Sequence, residues 1–304
     1  MIATTTPRPE SLGELLLLGT RLLKRVSRPD IDARVLLLHA SRLPEEALFA
    51  HPEHSLSPRA AHRYLELVGR RAAGAPLAYL TGWQEFWSLP FRVGPGVLIP
   101  RPETELLVET VVALASGAKR SILDLGTGSG NIAVALAREI PAARIMASDV
   151  SPRALRVAAA NAASNGCPRI RFVRSDLFAA FGRPRPRFDI IVSNPPYVGR
   201  REWAGLSAEV RDHEPRRALV GGVRGTELLE RLVREARRFL RPGGRLVLEF
   251  GAGQHQAVRA MFGRGWESVA VVPDLAGIPR IVSARKAAGA AGVANLRTPA
   301  CGNR

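Results

Sequence analysis

The sequence has few cysteines and lacks any long apolar run. Cys167 and Cys301 are the only cysteines among 304 residues, too few for the disulfide framework of a small secreted domain. No apolar run approaches the roughly 20 residues that a membrane helix needs. The first residues include Arg8 and Glu10 without an apolar segment of their own, unlike a signal peptide. We therefore expect a cytoplasmic protein with no membrane partner.

Lysine is also scarce, although the chain is strongly basic. Lys24, Lys119 and Lys286 are the only lysines among 44 basic residues, which outnumber 27 acidic residues and give a formal charge of +17. Such a surplus of arginine suits attraction to a polyanion or to an acidic protein. Coding composition explains it equally well, because the arginines are dispersed and do not alternate with aromatic side chains. Direct nucleic-acid binding is therefore possible but not required.

Periodicity divides the chain into two domains and two flexible or connecting segments. Residues 1–75 carry leucines at helical spacing, which predicts a small helical bundle with one apolar face formed by Leu12, Leu15, Leu16, Leu22 and Leu23. Glycine and proline punctuate residues 76–100, which we interpret as a hairpin linker. Residues 101–286 form the larger domain, and residues 287–304 lack periodicity and are expected to be disordered.

The larger domain alternates strand-like apolar runs with helical segments, which is typical of a doubly wound α/β fold with a parallel sheet. The expected strands cover residues 121–125, 144–148, 170–174, 188–192, 245–250, 268–272 and 280–284. The last two are separated by a short proline-bounded loop, so we expect them to pair antiparallel. In such sheets, ligands bind outside the carboxyl ends of the strands.

A glycine-rich turn follows the first of these strands. Gly126, Thr127, Gly128, Ser129 and Gly130 lead into a helical pattern. Glycines at alternate positions let the backbone approach a ligand closely and turn sharply into a helix. The spacing is GxGxG, which differs from the GxGxxG fingerprint of dinucleotide-binding proteins.

Acidic residues end the next two strands. Asp149 follows the run 144–148, where a carboxylate can accept hydrogen bonds from both hydroxyls of a ribose. Asp176 and Leu177 follow the run 170–174, where the carboxylate can accept from an adenine amino group. A carboxylate at a strand end is by itself more often a turn or cap residue than a ligand-binding residue, but successive strand ends of this kind predict a nucleoside site.

A proline turn ends the fourth strand. Asn194, Pro195, Pro196 and Tyr197 follow the run 188–192. Two prolines fix the backbone, so the Asn194 side-chain carbonyl and the next main-chain carbonyl can form a rigid acceptor pair for an NH2 group. Tyr197 offers a flat face for a planar amide or base. A proline-rich turn that merely stops the strand is the structural alternative.

The whole constellation resembles the class I S-adenosylmethionine-dependent methyltransferases, and within them the HemK/PrmC family of release factor glutamine N5-methyltransferases. The resemblance covers about residues 11–285, and it includes segments 76–82, 85–87, 98–105, 209–219, 221–225 and 249–254. It implies a Rossmann-like, seven-stranded methyltransferase sheet behind an N-terminal helical bundle.

The resemblance implies methylation of the glutamine side-chain amide nitrogen in the Gly-Gly-Gln motif of class I peptide chain release factors. S-adenosylmethionine is then the cofactor. The expected cofactor-binding residues are Gly126, Thr127, Gly128, Ser129, Gly130, Asp149, Asp176, Leu177 and Asn194. Residues 194–197 are expected to bind the substrate, with Asn194, Pro195 and Tyr197 catalytic. The helical bundle is expected to grip the protein substrate, although support of the catalytic domain explains it equally well.

Other functions share parts of this pattern. A ribosomal-protein glutamine methyltransferase uses the same chemistry. A nucleic-acid amino methyltransferase acts on adenine or guanine, whose amino groups would present the same planar NH2 group to the proline turn. A nicotinamide oxidoreductase or a non-catalytic nucleotide-binding protein explains the glycine turn but not the proline turn. A metal site is not expected, because the histidines lack ligand spacing.

Several residues in the matching segments have no role that spacing alone assigns. Arg101, Glu103 and Glu105 are placed near the cofactor cleft by the resemblance, but Pro102 followed by acidic residues also suits a helix start. Glu249 and Gln254 match as well, and a turn at a strand end explains them equally.

Overall fold

The computed structural model describes residues 11–115 and 120–288, so almost all of the expected disordered tail lies outside the described residues. The N-terminal part contains helices α1 (Leu12–Leu22), α2 (Pro29–Ser41), α3 (Glu45–Ala50), α4 (Pro58–Ala72) and α5 (Leu77–Thr81). None of the helices within the described residues is both long enough and apolar enough to cross a bilayer.

The helical bundle is held by the leucine face that the sequence predicts, with one exception. Leu12, Leu15 and Leu23 pack with leucines of α2 and with Tyr64 of α4 in a shared core. Leu22 is 52% exposed, so its assignment to the face was wrong. At about 100° per residue, Leu22 lies roughly 80° away from Leu12 around the helix, at the border of the apolar stripe.

The linker contains the expected hairpin, formed by β1 (Trp83–Phe86) and β2 (Leu89–Arg92). The short helix α5 precedes it and was not expected. After the hairpin, a 3-10 turn at Pro102–Thr104 runs directly into α6 (Glu105–Ala115). The linker therefore returns the chain to the edge of the larger domain.

A seven-stranded sheet forms the centre of the larger domain, as predicted. Its strands are β3 (Ser121–Leu125), β4 (Arg144–Asp149), β5 (Arg171–Arg174), β6 (Phe188–Ser193), β9 (Leu240–Glu249), β10 (Trp266–Pro273) and β11 (Pro279–Lys286), in the spatial order β10-β11-β9-β6-β3-β4-β5. The neighbouring strands β9, β6, β3, β4 and β5 all run parallel to one another, whereas β11 runs antiparallel to both of its neighbours, β9 and β10.

Helices cover both faces of this sheet. Successive residues of a strand point to opposite faces, so Ile122 packs with α6, α7 (Asn131–Glu139) and α8 (Pro152–Ser164), whereas Leu123 packs with α11 (Glu227–Ala236) and α12 (His255–Ala260). The result is a three-layer α/β/α domain.

The segment between β6 and α11 is less irregular than the long loop that the sequence suggests. It contains a small parallel pair, β7 (Val198–Gly199) with β8 (Val220–Gly222), and the short helices α9 (Ala208–His213) and α10 (Arg216–Leu219). This segment leaves the proline turn and comes back to pack beside it.

One buried ion-pair network joins the helical bundle to the larger domain. Arg71 of α4 donates from Nε to Asp32 Oδ2 at 2.7 Å and from Nη1 to Glu209 Oε2 of α9 at 2.9 Å. The side chains of Arg71 and Asp32 are both more than nine-tenths buried. A buried carboxylate of this kind depends on its cation, because an unpaired charge is costly away from water.

We therefore expect Arg71→Ala to lower the free energy of unfolding by about 3–5 kcal/mol, because it leaves the Asp32 carboxylate buried without its partner. Urea denaturation followed by circular dichroism measures this change. Arg70→Ala removes an exposed neighbour on the same helix and should change stability by no more than about 0.5 kcal/mol. Equal effects of the two substitutions would contradict the importance of the network.

Candidate active site

A cleft opens at the carboxyl ends of the parallel strands, where the chain order reverses between β3 and β6. It encloses about 1050 Å³ including its mouth. The strand end after β3, the ends of β4 and β5, and the turn after β6 line one side, and the linker residues Leu98, Pro100 and Arg101 line the other. The cleft lies at the topological switch point, the usual ligand site of a doubly wound sheet.

The glycine turn forms the floor of this cleft. Gly126, Gly128 and Gly130 all have positive φ angles, of 73°, 57° and 85°, a region that residues with a Cβ rarely adopt. A Cβ on Gly130 would approach Ala158 of α8 to 3.0 Å, whereas a Cβ on Gly126 would meet nothing within 4 Å. Gly130 therefore serves packing, and Gly126 leaves space in the cleft.

Asn161 of α8 fixes the turn from below, and sequence analysis missed it. Its amide nitrogen donates to the Ser129 carbonyl at 2.8 Å and to the Arg92 carbonyl at 3.0 Å, and its Oδ1 accepts from the Arg92 backbone NH at 2.8 Å. The side chain is fully buried. The hairpin β1–β2 and the glycine turn are therefore joined through one carboxamide.

Asp149 ends β4 and lines the cleft. Its Oδ2 accepts from the Gly128 backbone NH at 3.0 Å and its Oδ1 accepts from the Ser151 backbone NH at 2.8 Å. Burial raises the pKa of Asp149, although these two NH donors and the charge of Arg217 oppose the increase. A carboxylate has about four lone-pair sites, so two backbone bonds leave acceptor capacity toward the cleft.

Asp176 and Leu177 also line the cleft, beside Ser175. Both oxygens of Asp176 accept from Arg231 at 3.0 Å, and the Asp176 side chain is exposed. Leu177 has a φ of +45°, which is uncommon for a residue with a bulky side chain. The contact of Asp176 with an adenine amino group stays a prediction.

The proline turn lines the same cleft. Asn194, Pro195 and Pro196 line the cleft. The Asn194 side chain donates from Nδ2 to Thr104 Oγ1 at 2.9 Å, so its Oδ1 is the atom left to accept a hydrogen bond. Thr104 lies 90 residues earlier, in the 3-10 turn that follows the linker, and sequence analysis assigned no role to it.

Two glycines and a glutamine hold the back of the proline turn. A Cβ on Gly221 would lie 2.2 Å from the Pro196 carbonyl oxygen, and a Cβ on Gly225 would lie 2.3 Å from the Tyr197 carbonyl oxygen. Gln254 donates to that Tyr197 carbonyl at 2.8 Å and accepts from Gly251 NH at 3.0 Å. These residues of the matching segments therefore act as supports.

Tyr197 packs between Gly251 and a buried carboxyl group. Its hydroxyl lies 3.5 Å from Glu249 Oε1, and burial raises the pKa of Tyr197. Glu249 ends β9 and is 2% exposed. Burial raises the pKa of Glu249 to about 7, against the lowering effect of the Thr104 hydroxyl. Stacking of the Tyr197 ring on a substrate amide stays a prediction.

Glu214 fastens the linker to the segment after the proline turn. One of its oxygens accepts from the Ile99 backbone NH at 3.1 Å, and the other pairs with the Arg101 guanidinium. Glu214 is 5% exposed. The sequence left the role of Arg101 open. In the structure Arg101 lines the cleft, and its ion pair joins it to Glu214, which lies just before α10.

Asp124 is a further buried carboxyl beneath the glycine turn, and sequence analysis did not single it out. Its Oδ2 accepts from the Thr127 hydroxyl at 2.6 Å, and its Oδ1 has no hydrogen-bond partner of normal geometry among the residues that the structure describes. Burial raises the pKa of Asp124 to about 7, and the charge of Asp149 adds to the increase. The hydroxyl of Thr127 partly offsets it.

We expect Asp124→Asn to gain stability relative to the wild type as pH rises. The carboxyl has an ordinary pKa of 3.8 and a folded pKa of about 7. It is therefore protonated in the fold but ionised in the unfolded chain over this interval, and stability falls from about pH 4 to pH 7 because the folded state binds more protons. The amide has no such dependence.

Urea unfolding of wild type and variant at a series of pH values measures this difference. Asp274→Asn is a control of opposite sign, because hydrogen bonds from Ile278 NH and Arg280 lower the pKa of Asp274. The wild type loses this stabilisation as pH falls and the amide does not, so the stability of that variant relative to the wild type should rise as pH falls. A difference between Asp124→Asn and wild type that does not change with pH would contradict the burial argument.

The chain matches two known protein families along its length. The PrmC N-terminal domain family matches residues 14–82, and the methyltransferase small domain family matches residues 102–208. A solved structure of a ribosomal protein L11 methylase from Lactobacillus delbrueckii subsp. bulgaricus superposes with a TM-score of 0.49 at 20% identity, over 65% of this chain and 85% of that chain.

Curated relatives are similar over nearly their whole length. The release factor glutamine methyltransferase of Koribacter versatilis is 44% identical over 259 residues, which cover 85% of this chain and 91% of the relative. That of Burkholderia pseudomallei is 44% identical over 291 residues, covering 93% and 98%. That of Rhodopirellula baltica is 36% identical over 298 residues, covering 94% and 100%. The chain therefore belongs to the release factor glutamine methyltransferase family.

Proposed function

We propose that this protein transfers a methyl group from S-adenosylmethionine to the side-chain amide nitrogen of the glutamine in the Gly-Gly-Gln motif of class I peptide chain release factors. The observation that carries the proposal is the Asn194 amide, held through its nitrogen by Thr104 at the wall of the cleft. The names of the relatives, at 36–44% identity, give the substrate class. Such a substrate works with the ribosome, so the reaction belongs in the cytoplasm.

The cleft fits S-adenosylmethionine. Open space at Gly126 and the positive φ angles of the glycine turn leave backbone room for the amino-acid end of the cofactor. Asp149, a partly buried carboxylate at the cleft wall, would bind the ribose hydroxyls. Asp176 and Leu177 would flank the adenine. Thr127, Ser129 and Gly128 complete the cofactor site.

S-adenosylmethionine supplies a methyl group on a sulfonium, whose departure leaves a neutral thioether. The difficulty lies in the acceptor, because the lone pair of an amide nitrogen is delocalised into its carbonyl. Asn194 Oδ1 and the Pro195 carbonyl accept the two hydrogens of the substrate amide, which directs its nitrogen at the methyl group of the cofactor. Orientation of this kind can lower a barrier by about 7–11 kcal/mol.

The turn also handles the proton that the reaction must release. A nitrogen–carbon bond forms as the methyl–sulfur bond breaks, and the methylated amide nitrogen then carries an extra proton. This nitrogen is strongly acidic, so it passes the proton to water or along the hydrogen bond to Asn194 Oδ1. No strong general base is needed, and the acceptor pair carries the catalysis by position.

The N-terminal helical bundle is proposed to bind the release factor outside its glutamine loop. A specific protein complex buries about 1,200–2,000 Å², far more than a short loop in the cleft supplies. The bundle carries exposed apolar side chains, Leu17 at 61% and Phe49 at 67% exposure. Arg71 fixes the bundle to α9, so a partner held there lies in a set orientation to the cleft.

The proposal predicts that Asn194→Ala and Asp149→Ala affect different quantities. Asn194→Ala should lower turnover at least about 100-fold with little change in cofactor affinity, because the amide clamp acts on the acceptor. Asp149→Ala should weaken S-adenosylmethionine binding by about 1.5–3 kcal/mol, the cost of losing charge-assisted hydrogen bonds. Mass spectrometry of a purified release factor measures the methyl gain, and calorimetry measures cofactor affinity.

In the wild-type reaction, the added methyl should map to the glutamine of the Gly-Gly-Gln loop. A release factor in which that glutamine is replaced by alanine is the matched substrate control and should gain no methyl. Absence of methylation of the intact factor by wild-type protein, despite S-adenosylmethionine binding, would contradict the proposed substrate. Wild-type turnover by Asn194→Ala would contradict the amide clamp.

For the helical bundle, we expect Leu17→Ser and Phe49→Ser each to raise KM for the intact release factor about 10-fold, because an apolar side chain buried in an interface contributes about 1.5–3 kcal/mol. Turnover and cofactor affinity should stay at wild-type values. A short peptide carrying the Gly-Gly-Gln loop is the control, and its KM should not change. An unchanged KM for the intact factor would make these exposed side chains irrelevant to docking.

A further inference from the structure

The orientation of the Asn194 carboxamide decides whether the proposed acceptor clamp works. The oxygen and nitrogen of a carboxamide have nearly the same size but opposite hydrogen-bonding character. A half-turn about the last side-chain bond would present NH2 to the substrate amide in place of Oδ1, with almost no change in packing. A donor facing the substrate NH2 group cannot bind it, so the structure must favour one of the two orientations.

Thr104 supplies that preference. Its hydroxyl oxygen accepts from Asn194 Nδ2 at 2.9 Å, and the residue is 2% exposed. A hydroxyl can accept from Asn194 only while its own proton points elsewhere. The Thr104 hydroxyl is also a hydrogen-bonding neighbour of the Glu249 carboxyl, which gives that proton an acceptor.

Glu249 is held beside the turn by the sheet itself. Strands β6 and β9 are parallel neighbours, with Ser193 opposite Leu248. The next positions along the two chains are Asn194, which follows β6, and Glu249, which ends β9. The Glu249 carboxyl is almost fully buried, and within the described part of the chain its Oε2 has no hydrogen-bond partner of normal geometry. An ionised carboxyl is acceptor-only, which keeps the Thr104 proton turned away from Asn194.

We propose that Thr104 and Glu249 are positioning residues that hold the Asn194 carboxamide with its oxygen toward the substrate glutamine. The inference rests on the proposed function, because it concerns the same acceptor site. Thr104 acts directly on Asn194, and Glu249 acts through Thr104. Neither group forms or breaks a bond in the reaction.

The arrangement depends on pH because a protonated Glu249 can donate to Thr104, which frees the Thr104 proton to turn toward Asn194. Glu103 from the linker turn, Arg280 from β11 and Tyr197 face the same carboxyl. Burial and Glu103 raise the pKa of Glu249, whereas Thr104, Arg280 and Tyr197 lower it, with a result of about 7. The active orientation is therefore favoured above this pH and lost below it.

The test compares Thr104→Val, which keeps the shape but removes the hydroxyl, with Thr104→Ser, which keeps the hydroxyl. We expect Thr104→Val to lower the single-turnover rate of release factor methylation about 10- to 100-fold, because Asn194 Nδ2 loses its acceptor. Thr104→Ser should keep at least about a third of the wild-type rate. The cofactor Kd and the KM for the release factor should stay within about twofold in both variants.

The pH profile separates positioning from a loss of structure. The wild-type rate should fall as pH decreases through about 7, and this acid limb should be absent from Thr104→Val and from Glu249→Gln. Thermal unfolding checks that the variants are folded, and Thr104→Ala carries the same expectations should Thr104→Val be unfolded.

Each outcome decides between the inference and its alternatives. Thr104→Val with a wild-type rate, or with the acid limb unchanged, overturns the positioning role. Equal impairment of Thr104→Ser and Thr104→Val also overturns it, since shape and not the hydroxyl would then matter. Failure of the wild-type protein to methylate the release factor overturns the proposed function, and this inference falls with it. Methylation by wild type together with unimpaired Thr104→Val overturns this inference alone.

Discussion

The carboxamide of Asn161 is the contact on which the geometry of the cleft depends. It satisfies both backbone polar groups of Arg92 in the hairpin and the carbonyl of Ser129 in the glycine turn. The Asn161 side chain and Ser129 are buried, and a buried polar group without a partner costs about 1–3 kcal/mol. Asn161 therefore fixes the hairpin, the helix α8 and the glycine turn relative to one another, and this fixes the shape of the cofactor side of the cleft.

The linker completes this shape on the acceptor side. The linker is tied to the cofactor side through Arg92, and the 3-10 turn that follows it contacts the acceptor turn through Thr104. Between these points, Glu214 accepts from Ile99 NH and pairs with Arg101. A segment that looks like a connector in the sequence thus forms a wall of the cleft. Its contacts with α8 and with Glu214, together with the contact between the 3-10 turn and the proline turn, fix the distance between the glycine turn and Asn194.

Much of the sheet could be predicted from the sequence, because apolar runs that end in glycine, aspartate or asparagine mark buried parallel strands and their ligand-facing ends. Residues 121–125 were predicted with the observed bounds of β3. The start of β9 was missed: the strand was expected from residue 245, but it begins at Leu240. The added residues include Pro242, Gly243 and Gly244 and lie in a strand irregularity, where Phe188 pairs with Leu240 and Ile190 pairs with Arg245. Thr104 could not be found either, since its partner is 90 residues away and no local pattern reports such a contact.

The buried carboxyls at the sheet edge connect this fold to a cationic ligand. Asp124 lies one residue before the end of β3, Asp149 ends β4 and Glu249 ends β9, and burial raises the pKa of each. The folded protein thus holds carboxyls where their ionised forms are poorly solvated, an arrangement that disfavours stability but is common where function requires it. A positive ligand in the adjoining cleft favours the ionised forms and offsets part of that cost.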